Sequence, residues 1–400
     1  MGAALRRALP AWSAVALQAL VPLLQPLAAQ DVTGRAGFAE VQGYLREAVH
    51  RGAFPGAVLE VGLGGRVVYH TAVGVYGQDD PHPVSDTTVY DLASLTKVIG
   101  LTTAVMQLVA DGRLALDTPV QRYVPAFRGA GKDAILVRHL LLHDAGLPAW
   151  RPLYQETTDP ADARSLADTT PLEAPPGTRY VYSDLGAIVL TQAVEHLADQ
   201  RLDSLLAEQV FVPLGMRRTR FLPPADWRPF IAPTERDPWR GRVLRGEVHD
   251  ENAARLGGVS GHAGLFSTGP DLARFAFWLL DAYHGRLRPG NTPYLPAPLV
   301  RRFLTRADEP VGSTRALGWD TPSPDGGSSG HCLSPASFGH TGFTGTSIWI
   351  DPTRDLVIIL LTNRVHPTRE NQLIREIRPG VADRVVRAVA GVAACPLTDR

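Results

Sequence analysis

What most limits the fold of this chain is where its β-rich runs fall. Ala57–Val61 and Val67–Val73 are rich in β-branched residues and are separated by Gly62-Leu63-Gly64-Gly65, a hairpin signal. Thr346–Ile350 and Leu356–Leu361 repeat the pattern around a turn at Asp351-Pro352. Between these pairs, residues 93–309 carry helical patches joined by Pro- and Gly-rich loops. No βαβα alternation is visible, which argues against a doubly wound parallel sheet. The pattern predicts an α+β fold with an antiparallel sheet built from both chain ends, flanked by helices, and an inserted, mostly helical region. Residues 30–92 with 310–400 would form the sheet region and residues 93–309 the helical region, with an active site between them. Apolar spacing in 37–50 (Phe38, Val41, Leu45, Val49) and in 381–392 predicts a helix near each end.

The first 29 residues are expected to be an export signal. Arg6 and Arg7 precede an apolar stretch from Ala8 to Leu27, and the small pair Ala28-Ala29 precedes polar Gln30-Asp31. An uncleaved membrane anchor is the other reading of that stretch. The protein is therefore expected to be periplasmic or secreted, touching a membrane only through this segment. With 40 basic and 40 acidic residues, no basic stripe points to nucleic acid. Cys332 and Cys395 are the only cysteines, so zinc-ligand pairs are absent; a disulfide and two free thiols both remain open.

Chemistry is first suggested by lysine scarcity. Dozens of arginines carry the positive charge, and only Lys97 and Lys132 are lysines. Arginine stays protonated and cannot serve as a base, so a lysine in this chain is a candidate for a place where a loseable proton is needed. In Ser94-Leu95-Thr96-Lys97 the two polar groups share one face at the start of a helix. Burial would lower the Lys97 pKa, and the neutral amine could then take the Ser94 proton. Lys132 follows Gly131 in a polar loop and is expected to be solvated. Two further elements follow: Tyr182-Ser183-Asp184 after a turn at Pro176-Gly177, and His340-Thr341-Gly342-Phe343 leading into the strand at Thr346–Ile350.

With these elements in this order, the mature chain resembles the serine β-lactamase and penicillin-binding protein superfamily, on its class C-like side with DD-peptidases and esterases. His143-Asp144-Ala145-Gly146-Leu147 and the run Gly257-Gly258-Val259-Ser260-Gly261-His262 extend the resemblance. The resemblance implies that Ser94 is acylated, while Lys97 and Tyr182 share proton transfer. It implies an oxyanion hole from the Ser94 and Phe343 amides, and substrate contacts from Asp184, His340, Thr341 and Gly342. Asp184 stands where Asn is usual, and His340, partly protonated near neutral pH, stands where Lys is usual. Neither a metal nor an organic cofactor is expected. The implied function is an exported serine hydrolase acting on D-alanyl peptides of peptidoglycan or on small esters. The alternatives are a class C-like β-lactamase and a non-catalytic sensor of wall fragments or β-lactams. Tyr180 resembles Tyr182 but lacks the Ser-Asp continuation. His249, Asp250, Glu251 and His262 are expected to order loops or line a pocket, His143 to end a helix, and the seven tryptophans to be scattered.

Overall fold

A computed structural model describes residues 35–288 and 293–395. The export segment expected at 1–29 lies outside these residues. Among the described residues no helix is long and apolar enough to cross a membrane.

Six strands form the main sheet: β1 (Gly56–Leu63), β2 (Arg66–Gly77), β3 (Asp80–Pro83), β4 (Phe338–Thr341), β5 (Ser347–Asp351) and β6 (Leu356–Thr362). Their order is β3-β2-β1-β6-β5-β4, with antiparallel pairs throughout. The sheet thus joins both ends of the chain, as its β-rich runs predict. The seam is the β1–β6 pair, running from Ala57 opposite Thr362 to Leu63 opposite Leu356.

Alternation of side chains explains why both central strands are apolar at nearly every position. Ala57, Leu59 and Val61 of β1, with Leu356, Ile358 and Leu360 of β6, face a cluster built with the helices Arg35–His50 and Ile374–Ala390. Val58, Val357, Ile359 and Leu361 face the opposite way, into a larger cluster that includes the helices Thr103–Ala110, Asp184–Ala198 and Gly269–Tyr283. Glu60 falls on this second face and is buried, which its contact with His70 Nδ1 at 3.0 Å makes tolerable.

Three features depart from expectation. The last helix spans Ile374–Ala390 rather than 381–392, running through Pro379 in its second turn. Burial of Ile374 and Ile377 in the apolar cluster holds the segment before the proline helical despite the missing N–H. Two small sheets also form in or beside the inserted region, Tyr90–Asp91 with Leu265–Ser267 and Arg220–Phe221, and Arg236–Asp237 with Arg242–Val243. Strands of two or three residues are too short to leave an alternating pattern. Finally, Lys132 is 1 % exposed rather than solvated. Its ammonium lies 4.6 Å from the Phe127 ring centroid and donates to the Asp168 carbonyl, which together replace its water. Cys332 and Cys395 are joined in a disulfide.

Candidate active site

Ser94 owes its position to a tethered turn. Asp91, at the end of a two-residue strand, accepts the Ala93 amide through Oδ1 (2.8 Å) and the His249 amide through Oδ2 (2.6 Å). Thr344 and Thr346 donate to the carbonyls of Asp91 and Leu92 at 2.7 and 3.0 Å. These bonds fasten the turn to the β4–β5 loop. Ala93 sits at φ 46°, so the nucleophile follows a residue in the left-handed region that side chains rarely adopt. Gly342 is needed at the seam, because a Cβ there would lie 2.4 Å from the Leu92 carbonyl oxygen.

Lys97 follows one turn later, in a π-wound segment, Lys97–Thr102, that leads into the helix Thr103–Ala110. The residue is 3 % exposed. Its ammonium donates to Ser94 Oγ and to the His262 carbonyl, each at 3.0 Å, and lies 2.7 Å from Asp184 Oδ1. Burial alone would lower the Lys97 pKa, but the adjoining Asp184 carboxylate and the Tyr182 hydroxyl together outweigh it and raise the ammonium above its ordinary value. The resting lysine is therefore a cation in an ion pair, not the neutral amine that burial suggests. Asp184 reaches it from the first turn of the helix Asp184–Ala198, whose N-cap is Ser183, with Oγ accepting the Gly186 amide.

Tyr182 lies over Lys97, with 4.9 Å between the ammonium and the ring centroid. Its hydroxyl is close enough to add to the support of the Lys97 charge, yet it is buried without an aligned hydrogen-bond partner among the described residues. His143 holds the tyrosine in place. It ends the helix Val137–Leu142 at φ 58°, accepts the Ser183 amide through Nδ1 (3.1 Å) and packs 4.5 Å from the Tyr182 ring. Burial and the nearby Arg315 and Lys97 charges push its pKa well down, so it is neutral.

Strand β4 brings His340 and Thr341 to the same cleft. His340 differs from expectation: burial first, then the Arg315 and Lys97 charges, drive its pKa well below the ordinary value, and it is neutral rather than partly charged. Its Nδ1 pairs with the Thr341 carbonyl at 2.9 Å, leaving Nε2 buried without a partner among the described residues. Gly342 lines the cleft, but its amide donates to the Thr346 carbonyl and its own carbonyl accepts from Arg378. Phe343 is 48 % exposed at the cleft edge. No hydrogen bond among the described residues occupies its amide or that of Ser94.

Two cavities flank Ser94. One, of about 340 Å³, is lined by His340, Thr341, Arg315, Arg364, Arg375 and Arg378. Arg315 is 8 % exposed; its guanidinium lies over the rings of Tyr180 and Tyr182, and Nε donates to Tyr180 Oη at 3.1 Å. Its Nη1 has no partner among the described residues. The positive charge expected of His340 is therefore supplied by Arg315, which the sequence hides among many arginines. Arg378 comes from the helical segment placed before Pro379, and burial with the Arg364 charge lowers its pKa to about 9. The second cavity, of about 220 Å³, is lined by Trp150, Asp184, His249, Asp250, Glu251 and Arg369. Here Asp250 Oδ1 meets His262 Nε2 at 2.9 Å, while Glu235 pairs with His249 Nε2 at 2.9 Å and with Arg369. These groups order loops and line the cavity, as their sequence context suggests. Among the described residues the one trio with metal-ligand spacing is Cys332, Asp383 and Cys395, whose two sulfurs are already joined.

The β-lactamase family model matches residues 41–381. A protein of Escherichia coli K12 named "Putative D-alanyl-D-alanine carboxypeptidase" is 33 % identical over 353 residues, covering 78 % of this chain and 79 % of that protein. One of the same name from Salmonella schwarzengrund is 34 % identical over 320 residues, covering 71 % and 72 %. Among solved structures, a β-lactamase/D-alanine carboxypeptidase from Pseudomonas syringae superposes with TM-score 0.69 at 20 % identity, covering 88 % of this chain and 99 % of that one. A penicillin-binding protein homologue from Caulobacter crescentus gives 0.69 at 22 %, covering 90 % and 97 %.

Proposed function

The chain belongs to the β-lactamase family and is a serine hydrolase, and from that premise we propose that it is an exported D-alanyl peptidase working through a Ser94 acyl-enzyme. The observation that carries the substrate reading is the arginine-lined cavity beside Ser94, where the buried Arg315 guanidinium keeps an N–H unpartnered among the described residues. A buried cation with a free donor is matched by a carboxylate, and a peptide ending in D-alanine presents one beside its scissile bond. Export is supported by the N-terminal sequence pattern and by the Cys332–Cys395 disulfide.

The proposed chemistry follows from the ion pair. As Ser94 Oγ attacks the carbonyl carbon, its proton passes to Lys97 while Lys97 passes one to Asp184, so the net acceptor is the carboxylate. The amides of Ser94 and Phe343 receive the oxyanion; loss of one such donor costs about 10²–10³ in rate in other hydrolases. When the tetrahedral adduct collapses, the Tyr182 hydroxyl protonates the departing amine and recovers its proton from Lys97. Water then cleaves the ester along the same route in reverse. Ser94, Lys97, Tyr182 and Asp184 come from the 93–309 region and His340–Phe343 from the sheet region, so the cleft lies between the two. A test is release of D-alanine from an acylated D-Ala-D-Ala peptide, together with fluorescent-penicillin labelling. Both are expected in the wild type and absent in Ser94→Ala. Turnover of esters with neither would overturn the D-alanyl reading.

A further inference from the structure

Two tryptophans expected to lie scattered come together beside the smaller cavity. Trp150 lines that cavity with Ser94 and is 45 % exposed. The Tyr154 ring centroid lies 6.2 Å from it, and Trp239, 40 % exposed, lies 4.9 Å beyond Tyr154. The three rings form a ledge leading away from the nucleophile.

This ledge is fixed in place. Tyr154 donates its amide to Asn252 Oδ1, and its carbonyl accepts from Arg255, each at 3.1 Å. The guanidiniums of Arg240 and Arg255 lie 5.2 and 5.3 Å from the Trp239 ring centroid. Arg240 also donates to the carbonyls of Val248 and His249, which ties the Trp239 turn to the cleft wall. Three stretches distant in sequence are thus bound together to hold rings that remain in water. Burial does not account for rings left exposed, whereas a ligand that stacks on them does.

Substrate orientation places the ledge. With the terminal carboxylate in the arginine cavity, the acyl portion extends across Ser94 toward Trp150. The rings are inclined by 52° and 65° to their neighbours, so they present separate faces rather than one plane. Hydrogen-bonding groups interleave them: Gln155 donates to Tyr154 Oη at 2.7 Å, and Glu251 and Arg369 border the cavity floor. Separate apolar faces with polar edges suit pyranose rings, whose C–H faces stack while their hydroxyls bond at the rim. An aliphatic chain would leave the polar edges unmatched. We propose that the Trp150–Tyr154–Trp239 ledge binds sugar rings of a glycan attached to the acyl side of the peptide, which rests on the D-alanyl peptidase reading and makes wall-linked glycopeptide the preferred substrate.

The test uses the full chain carrying Ser94→Ala, titrated with a tetrasaccharide of N-acetylglucosamine and followed by tryptophan fluorescence and calorimetry. Saturable binding is expected, weakened about tenfold by Trp239→Ala and less by Trp239→Phe. In the active enzyme, the ratio of kcat/KM for glycan-linked over glycan-free D-Ala-D-Ala peptide should fall about tenfold in Trp239→Ala and in Trp150→Ala. No saturable binding, or equal affinity and an unchanged ratio in these variants, overturns the proposal. Tighter binding of a mononucleotide or an apolar peptide than of the sugar overturns it too. Sugar binding without D-alanine release would refute the peptidase reading alone; D-alanine release without sugar binding would refute the ledge alone.

Discussion

Replacing Asp184 by Asn isolates what the ion pair contributes. The substitution keeps the shape and removes the charge 2.7 Å from the Lys97 ammonium. At an effective dielectric of about 20, charges at that distance attract by about 6 kcal/mol. The Asp184 side chain is 19 % exposed, so solvent weakens this attraction without abolishing it. Without the carboxylate, only Tyr182 is left to oppose burial, and the Lys97 pKa falls from its raised value. The variant then has a single acceptor for the Ser94 proton, a lysine amine in place of a lysine–carboxylate pair. Even when lowered by burial, a lysine keeps its proton to higher pH than a carboxylate does. The acid limb of kcat/KM should therefore move toward alkaline pH by two units or more in Asp184→Asn. The plateau near pH 9 should stay within about tenfold of wild type, because the neutral amine can then serve directly. The assay is ester or D-alanyl-peptide hydrolysis from pH 4 to 10. Superimposed profiles, or a shift of the variant toward acid, would refute relay through the pair.

Other substitutions probe neighbouring parts of the argument. Lys97→Arg keeps the charge and removes the ability to lose a proton, so kcat should fall about 10³-fold or more at every pH. Arg315→Met should raise KM for a D-alanyl peptide about 10- to 100-fold while changing KM for a neutral ester little, since only the peptide brings a carboxylate to the unpartnered N–H. At Glu235, burial raises the pKa but bonds from His249 and Arg369 outweigh it, lowering the carboxyl from 4.5 to about 2. That depressed value contributes about 3 kcal/mol of stability above pH 4.5, lost as pH falls toward 2. Urea unfolding of Glu235→Gln should show this deficit at pH 7 and a shrinking one below pH 4.5.

The sheet was legible because its two central strands are buried on both faces, so β1, apart from Glu60, and β6 stand out as apolar runs near opposite ends of the chain. Ser94 and Lys97 were legible for a different reason: a lysine is conspicuous in a chain that otherwise uses arginine. The same economy concealed Arg315 and Arg378, since one arginine among dozens carries no mark of its surroundings. For Arg378 a signal existed. Ile374, Ile377, Val381 and Val385 continue one helical face through Pro379, and weighting that periodicity above the proline would have placed the helix start correctly. Lys132 shows the opposite hazard, a cation assigned to solvent from its glycine neighbours when a carbonyl and a ring from elsewhere replace its water.

Charge state is the hardest property to read from residue order. Burial of Lys97 was legible, and burial by itself argues for a neutral amine. The sign reverses because Asp184 arrives from another helix at ion-pairing distance. His340 reverses in the same way, stripped of its charge by burial next to Arg315 and Lys97. We read both positions as parts of one distribution of charge: Arg315 rather than His340 carries the cation beside Tyr182, and the Asp184 carboxylate helps hold Lys97 protonated. If the two changes compensate, restoring only one should do more harm than restoring both. Asp184→Asn with His340→Lys should then recover more kcat/KM toward D-alanyl peptide than the product of the single effects allows, a coupling that a double-mutant cycle measures. Strict additivity would mean that the two positions vary independently and that Arg315 is no replacement for the absent lysine.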